Sequence, residues 1–368
     1  MKDINICNDR NFYLGANTPS GFISYFNEVG SYKKDWYRFL IKGGPGTGKS
    51  SMMKFIAQEF KKNSMDVELI YCSSAPGSLD GVILNNEKIL IVDATPPHFL
   101  EPQFPGAFDK VISIYESFNY EKLHYNRFKV ADLFEENLFY QQQAVNLMSA
   151  AYGLLLNNIE MVSKYVDEVK LNCYINNLLI QDLNLEKRED NLAGEELRFL
   201  TAITNGEQYS YINTVKSIAD KVYVLNDDFG IVSGRILNKV REHLLNANFN
   251  IITCKCAMFS GEKIDHILVP DLKLAFVTSN EHHDFSNLSD CTTKCCNEFL
   301  NEFSSSVKEQ VKLNNKRIGD ILFNSKAFIG KAQIIHDDLE KYYVDAVDFN
   351  AVKDEAEKTV VQIKNLIN

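Results

Sequence analysis

The stretch FLIKGGPGTGKSSMMKFIAQEF (39–60) decides how the first half of the chain folds. Its opening residues are strand-like, a run of glycines follows, and then Met52, Met53, Phe55, Ile56 and Phe60 recur at helical spacing. Gly43, four further residues and then Gly48-Lys49-Ser50 satisfy the pattern G-x-x-x-x-G-K-[ST]. Glycines let backbone N–H groups close around phosphate oxygens where a side chain would block the approach. The helix behind them aims its positive end at the same anion. Gly43, Gly44, Pro45, Gly46, Thr47, Gly48, Lys49, Ser50 and Ser51 are therefore read as a phosphate-binding loop. Lys49 is expected to reach the β- and γ-phosphates, and the Ser50 hydroxyl to ligate Mg²⁺. A glycine turn without function is the plainer alternative, and the flanking strand and helix patterns weigh against it.

Such a loop needs a second strand that ends in a carboxylate for the magnesium shell. The stretch KILIVDATPPH (88–98) supplies one, with four apolar residues leading to Asp93 and a proline-rich turn behind it. Lys49 and Asp93 are the catalytic candidates, and Ser50 and Asp93 the candidate metal ligands. Upstream, GANTPSGFISYFNEV (15–29) reads as a capped helix with Thr18 as N-cap and Pro19 in the first turn.

Sliding the chain by about 185 positions brings its halves into correspondence. ANTPSGFISYFN (16–27) faces AITNGEQYSYIN (202–213), and FLIKGGPGTGKSSMMK (39–54) faces YVLNDDFGIVSGRILN (223–238). DVELIYC (66–72) faces NIITCKC (250–256), and KILIVDATPPH is matched by KLAFVTSNEHH (273–283). In the second copy Lys49 becomes Ser233, Ser50 becomes Gly234 and Asp93 becomes Thr278, while Asp227 and Asp228 stand where Gly43 and Gly44 would be. Two carboxylates would repel a triphosphate, with no loop lysine to offset them. The second loop is read as degenerate. Cys72, Asp80 and His98 have counterparts in Cys256, Asp265 and His283, so a structural or interface role is favoured for them over catalysis, with a γ-phosphate sensor as the sharper reading of His98.

The 368 residues carry 45% hydrophobic and 24% charged side chains, as a globular chain of about two domains does. A net charge of −10 argues against a nucleic-acid or anionic-membrane surface. The N-terminus lacks the apolar run of a signal peptide, and no apolar run is long enough to span a bilayer, so a cytoplasmic protein is expected. The eight cysteines are read as reduced thiols. Cys254, Cys256, Cys291, Cys295 and Cys296, with His282 and His283 between, raise zinc as a minor alternative, since the spacing is not the usual one.

Residues 106–200 contain no proline, and apolar residues recur there in steps of three and four, from Val145 and Met148 through Tyr152, Leu155, Ile159, Val162 and Val166 to Val169. Phe328, Ala332, Ile335, Leu339, Tyr342, Ala346 and Phe349 repeat the device. The expected organisation is α/β, a parallel sheet flanked by helices, present as two tandem repeats each followed by a helical hairpin. The first domain is expected over 1–195 with a tail over 106–195, and the second over 196–368 with a tail over 288–368. Core packing is the preferred reading of both seams. A homodimer, or an unidentified protein bound through the tails, is the alternative.

The motifs ANTPSGF, KGGPGTGKSS, YCSSAPGSLDGVIL and IVDATPPHFLEPQFPGAFD together resemble a bacterial family of tandem P-loop ATPases built from two NTPase-like halves. The resemblance covers nearly the whole chain and implies the fold, ATP rather than GTP, and Mg²⁺. It departs from the family in the second half, where this chain has no intact loop. The first functional expectation is a Mg²⁺-dependent ATPase with one active N-terminal site and a degenerate second one. Arg127 or Arg235 is a candidate arginine finger and Glu101 a candidate for orienting water. A small-molecule or nucleoside kinase and a non-hydrolysing nucleotide-gated scaffold are the alternatives.

Overall fold

In the computed structural model the described residues are 10–367, apart from 76, 99, 190–192, 205–207, 282, 283, 286, 287 and 289. The first half forms β1 (Arg10–Phe12), β2 (Gly15–Thr18), β3 (Gly21–Ser24), α1 (Phe26–Val29), β4 (Tyr37–Lys42), α2 (Lys49–Lys61), β5 (Val67–Tyr71), β6 (Leu79–Leu84), β7 (Ile89–Asp93) and β8 (Asp109–Ser113). Then come α3 (Tyr120–Tyr125), α4 (Arg127–Ser163) and α5 (Glu168–Asn177). The second half forms β9 (Glu195–Arg198), β10 (Thr201–Ile203), β11 (Gln208–Ser210), α6 (Ile212–Ile218), β12 (Lys221–Asn226), α7 (Val232–Asn246), β13 (Ile251–Lys255), β14 (Ile264–Val269), β15 (Leu274–Ser279) and β16 (Cys291–Cys295). It ends with α8 (Ser305–Val344) and α9 (Phe349–Ile367).

The first sheet has the order β1-β5-β6-β7-β4-β8, and the second, from the matching edge, β9-β13-β14-β15-β12-β16. Strand directions match as well. In each sheet the loop-bearing strand, β4 or β12, is parallel to both neighbours. The expected parallel sheet is corrected to a mixed one, because β6 and β14 run antiparallel to both strands beside them. The reason is chain length. Only residues 85–88 join β6 to β7, whereas a parallel crossover needs a dozen residues or more. Residues 15–24 are also corrected, from helix to hairpin. Thr18 is a turn residue: its hydroxyl donates to the Gly21 carbonyl (2.7 Å) and accepts from the Ser20 N–H (3.1 Å). Local side-chain bonding of this kind competes with a helix N-cap for the same residue types.

The long helices depart further from expectation. Among the described residues no helical hairpin closes on its own half. Instead α4 and α8 pair antiparallel with each other. Asn137 Nδ2 donates to the Ala332 carbonyl (2.7 Å) near one end, and the Ser325 hydroxyl donates to the Ala144 carbonyl (2.9 Å) farther along. Asn314 Nδ2 donates to Asn158 Oδ1 (2.8 Å) and Asn158 Nδ2 to Asn315 Oδ1 (2.7 Å) towards the other. The buried line on α4 is Leu133, Ala144, Met148, Ala151, Asn158 and Val162. Val169, expected in the seam, is exposed. Helices of 37 and 40 residues span about 55–60 Å, too far to return to the sheet they left. Each carries the chain across. α5 packs Leu171 and Ile175 with Ile236 and Val240 of α7. α9 packs Val352, Ala356, Val360 and Ile363 with Phe39, Met53 and Phe60 of the first half.

The halves also meet directly. Tyr13 and Phe199 exchange backbone hydrogen bonds (2.9 and 2.8 Å), and one apolar cluster draws on both. Arg198, fully buried, donates to Glu68 Oε1 (2.6 Å) and Glu196 Oε2 (2.9 Å). Burial, with Glu196 adding to it, raises the Glu68 pKa, and the Arg198 guanidinium only partly offsets this. The guanidinium itself is held in its charged form by both carboxylates. Arg198→Met is expected to strand Glu68 and destabilise the fold by about 3–5 kcal/mol in urea unfolding. Adding Glu68→Met should recover most of that loss; a double variant as unstable as the single one would show that packing, not the charge pair, matters there.

Candidate functional site

Strand β4 ends at Lys42 and α2 begins at Lys49, so the glycine run spans the gap at the carboxyl ends of parallel strands, where open α/β sheets place their ligands. Gly46 and Gly48 hold φ of +64° and +87°, conformations that favour glycine. The Thr47 hydroxyl donates to the Gly44 carbonyl (2.8 Å) and braces the turn. Lys49 is buried, folded over the loop, and donates to the Gly44 carbonyl (2.5 Å). Its Nζ lies 3.5 Å from Asp93 Oδ2. β7 lies parallel to β4 with Asp93 opposite Ile41, so the topology brings the two catalytic candidates together. Asp93 Oδ1 accepts from the Thr95 N–H (3.0 Å) and from the Thr95 hydroxyl. The Ser50 hydroxyl accepts from the Leu79 N–H (2.9 Å) and keeps a lone pair free. Ser51 is exposed.

Next to this pair, His98 Nε2 lies 3.4 Å from Asp80 Oδ2, and both side chains are buried. Phe22 and Phe26 meet the imidazole edge-on at 5.4 and 5.1 Å. Burial disfavours the imidazolium, but Asp80, helped by Asp93, outweighs it and raises the His98 pKa. Burial, with Asp80 adding to it, also keeps the Cys72 thiol protonated. The other candidates are dispersed. Arg235 is ion-paired with Glu168 on α5. Arg127 is exposed, bonded to the His124 carbonyl (2.9 Å), and lies over the Phe128 ring. Glu101 is paired with Lys42 at 2.6 Å.

One contact lies outside every expectation drawn from the motifs. The corner between α8 and α9, at the far end of the chain, sits on the loop. A Cβ at Gly44 would lie 2.5 Å from the Tyr343 ring, and one at Gly46 would lie 2.9 Å from Glu340 Cβ. One at Gly48 would lie 3.4 Å from Val352 and 3.5 Å from Phe349. Glycine is thus required at Gly44 for close approach by a segment some 300 residues away in sequence.

The second loop, between β12 and α7, is built differently. Asp227 is buried, and its carboxylate accepts from the Ser233 N–H (2.7 Å) and the Phe229 N–H (3.1 Å). An internal anion thus occupies the helix N-terminus. A lysine is present after all, from an unexpected place. Lys263 at the foot of β14 pairs with Asp265, and its Nζ would lie 2.6 Å from a Cβ at Gly230. Burial opposes its charge, but Asp265 above all, with Asp227, outweighs it and raises the pKa. The cavity here, lined by Asp228, Gly230, Lys263 and Asn280 among others, holds about 60 Å³. Pockets for nucleotide-sized ligands hold roughly 300–1,000 Å³.

The zinc alternative fails on topology. Cys254 lies on β13 and Cys291 and Cys295 on β16, with three strands between, so the groups stand about 19 Å apart. His282 and His283 lie outside the described residues. Among the described residues no helix is long and apolar enough to cross a membrane.

A family model described as the KAP family P-loop domain matches residues 23–138. The matched stretch holds the glycine loop, Asp93 and the start of α4, and it supports a P-loop NTPase domain there, with nucleotide binding at the level of the family. No curated protein and no solved structure matches the chain.

Asp227→Ala should orphan the buried Ser233 N–H and the half-buried Phe229 N–H and cost about 1–3 kcal/mol of stability in urea unfolding, with nucleotide binding at the first loop unchanged. A variant as stable as the wild type would show that the carboxylate is not what fills the second loop.

Proposed function

We propose that the chain is a Mg²⁺-dependent ATP-binding protein that hydrolyses ATP at one site, built by Lys49 and Asp93 of the first half, and that the second half is a duplicated copy whose site is closed. The carrying observation is the 3.5 Å approach of Lys49 to Asp93 at the mouth of the glycine loop. A bound triphosphate would draw Lys49 off the Gly44 carbonyl, exchanging a neutral acceptor for phosphate oxygens. The Ser50 hydroxyl and Asp93 carboxylate are hard oxygen donors of the kind Mg²⁺ takes alongside phosphate and water. The metal would neutralise charge on the phosphates there. The matched strand order of the two sheets supports duplication, and the Asp227 carboxylate inside the second loop supports one nucleotide rather than two.

One observation favours a second reading, a nucleotide-gated scaffold with little turnover. Glu101, the candidate for orienting water, is held by Lys42. Phosphate release from Mg-ATP, measured beside nucleotide binding, separates the readings. Hydrolysis at this site predicts that Lys49→Ala lowers release by about 100-fold or more, and that Asp93→Asn or chelation of Mg²⁺ lowers it while the protein stays folded. Tight binding with no release above Lys49→Ala would leave the scaffold reading. Release that survives Lys49→Ala would sink both.

A further inference from the structure

The intact loop is flanked by a groove that the nucleotide reading leaves unused, between α3, the first turns of α4 and the end of α8. It is lined by Tyr120, His124, Arg127, Phe134 and Tyr343 among others, and holds about 720 Å³. We propose that this groove receives the nucleobase of the nucleotide whose phosphates the loop holds, with the Tyr343 ring as its stacking platform. The proposal rests on the nucleotide-site reading and adds the base subsite to it.

Direction comes first. β4 lies between β7 and β8. Asp93 ends β7, so the metal and the β,γ end of a triphosphate belong on that side of the loop. The phosphate chain is linear, and its nucleoside end must leave away from Asp93, over the β8 side. Beyond β8 the chain is rich in aromatic rings. Tyr115 meets Phe118 at 5.5 Å between ring centroids, and Tyr343 meets Phe118 at 5.9 Å and Phe134 at 6.4 Å. Tyr343 both touches Gly44 and lines the groove, so loop and groove are continuous through one side chain. Tyr120 and Phe134 are 62% and 45% exposed. Aromatic faces left open beside a phosphate site suit a base, which every nucleotide presents as a flat π-surface.

The second half supplies an internal comparison. Val347 bridges Phe118 and Val166 bridges Leu300 at equivalent corners. That equivalence places Val162 opposite Tyr343, Leu300 opposite Phe118, and Glu168 opposite Phe349. At these three positions, beside the loop that Asp227 fills, the second half carries aliphatic or charged side chains in place of the rings.

The test compares ATP with inorganic tripolyphosphate, which has the phosphates and no base. Binding of each, with Mg²⁺, is measured by calorimetry on the full chain, for the wild type, Lys49→Ala, Tyr343→Ala and Tyr343→Phe. The expected result is ATP binding about fivefold or more weaker in Tyr343→Ala, tripolyphosphate unchanged, and Tyr343→Phe close to wild type because its ring is kept. Lys49→Ala should weaken both ligands. Unchanged tripolyphosphate binding also shows that the loop of Tyr343→Ala is intact. If Tyr343→Ala alters neither ligand, the base lies elsewhere and the proposal falls while the nucleotide reading stands. If it alters both equally, Tyr343 props the loop and the proposal falls as well. If the wild type binds neither ligand, the nucleotide reading itself has failed and the base subsite goes with it.

Discussion

The antiparallel pairing of α4 with α8 is the constraint on which the rest of the molecule depends. Each helix leaves one sheet and arrives at the other, so their register decides where α5 and α9 land. The polar contacts near one end make that register specific. Buried Asn158 and Asn314 satisfy each other and reach Asn315 and Asn157. A one-turn slip would leave buried amides without partners, at a cost of about 1–3 kcal/mol each, and would carry Tyr343 off Gly44 by about 5.4 Å. An aliphatic seam would tolerate such a slip far better, since Leu and Ile contacts have no fixed partners. A buried Asn in a helix seam specifies register in this way, at some expense of stability.

The two loops start from one backbone plan and answer the same electrostatic problem differently. A helix N-terminus framed by free N–H groups needs an anion. In the second half the anion is internal, Asp227, and its charge is balanced by Lys263, which approaches from β14 rather than from the loop. In the first half the position is Gly43, which offers no anion. Lys49 waits on a carbonyl and near Asp93, and the N–H groups remain for a ligand. The second loop therefore differs from the first by more than the lack of a loop lysine. It supplies a permanent occupant, which fits the small volume left above it.

Much of this was legible in the sequence, and what was not has physical causes. The glycine loop between strand and helix, the strand that ends in Asp93 and the likeness of the two sheets could be read because they are local patterns of residue type and spacing. The direction of β6 depended on the length of a turn, and the short link at 85–88 was there to be weighed. The hairpin at 15–24 was missed because Thr and Pro serve a turn as well as a helix start. The crossing of the tails could not be read from periodicity, which marks an apolar face but not its partner. Lys263 was hidden for a related reason: comparing the loops position by position shows a lysine lost, while its replacement enters from another strand. Tyr343 left a trace that the alignment of halves could have caught, an aromatic where the second half has Val162.

The crossing has a consequence for how the first site is assembled. Its loop, lysine and carboxylate come from residues 43–93, but the surface against the loop glycines comes from residues 340–352. α9 holds that corner down by burying Val352, Val360 and Ile363 against the helix that begins at Lys49. The corner is also continuous with α8, a helix of 40 residues. α8 is bonded to α4 at several points along its length, so a ligand that shifts Tyr343 either rotates that ring locally or moves α8 against α4. The second course would strain the Asn158–Asn314 pair, which sits towards the opposite sheet.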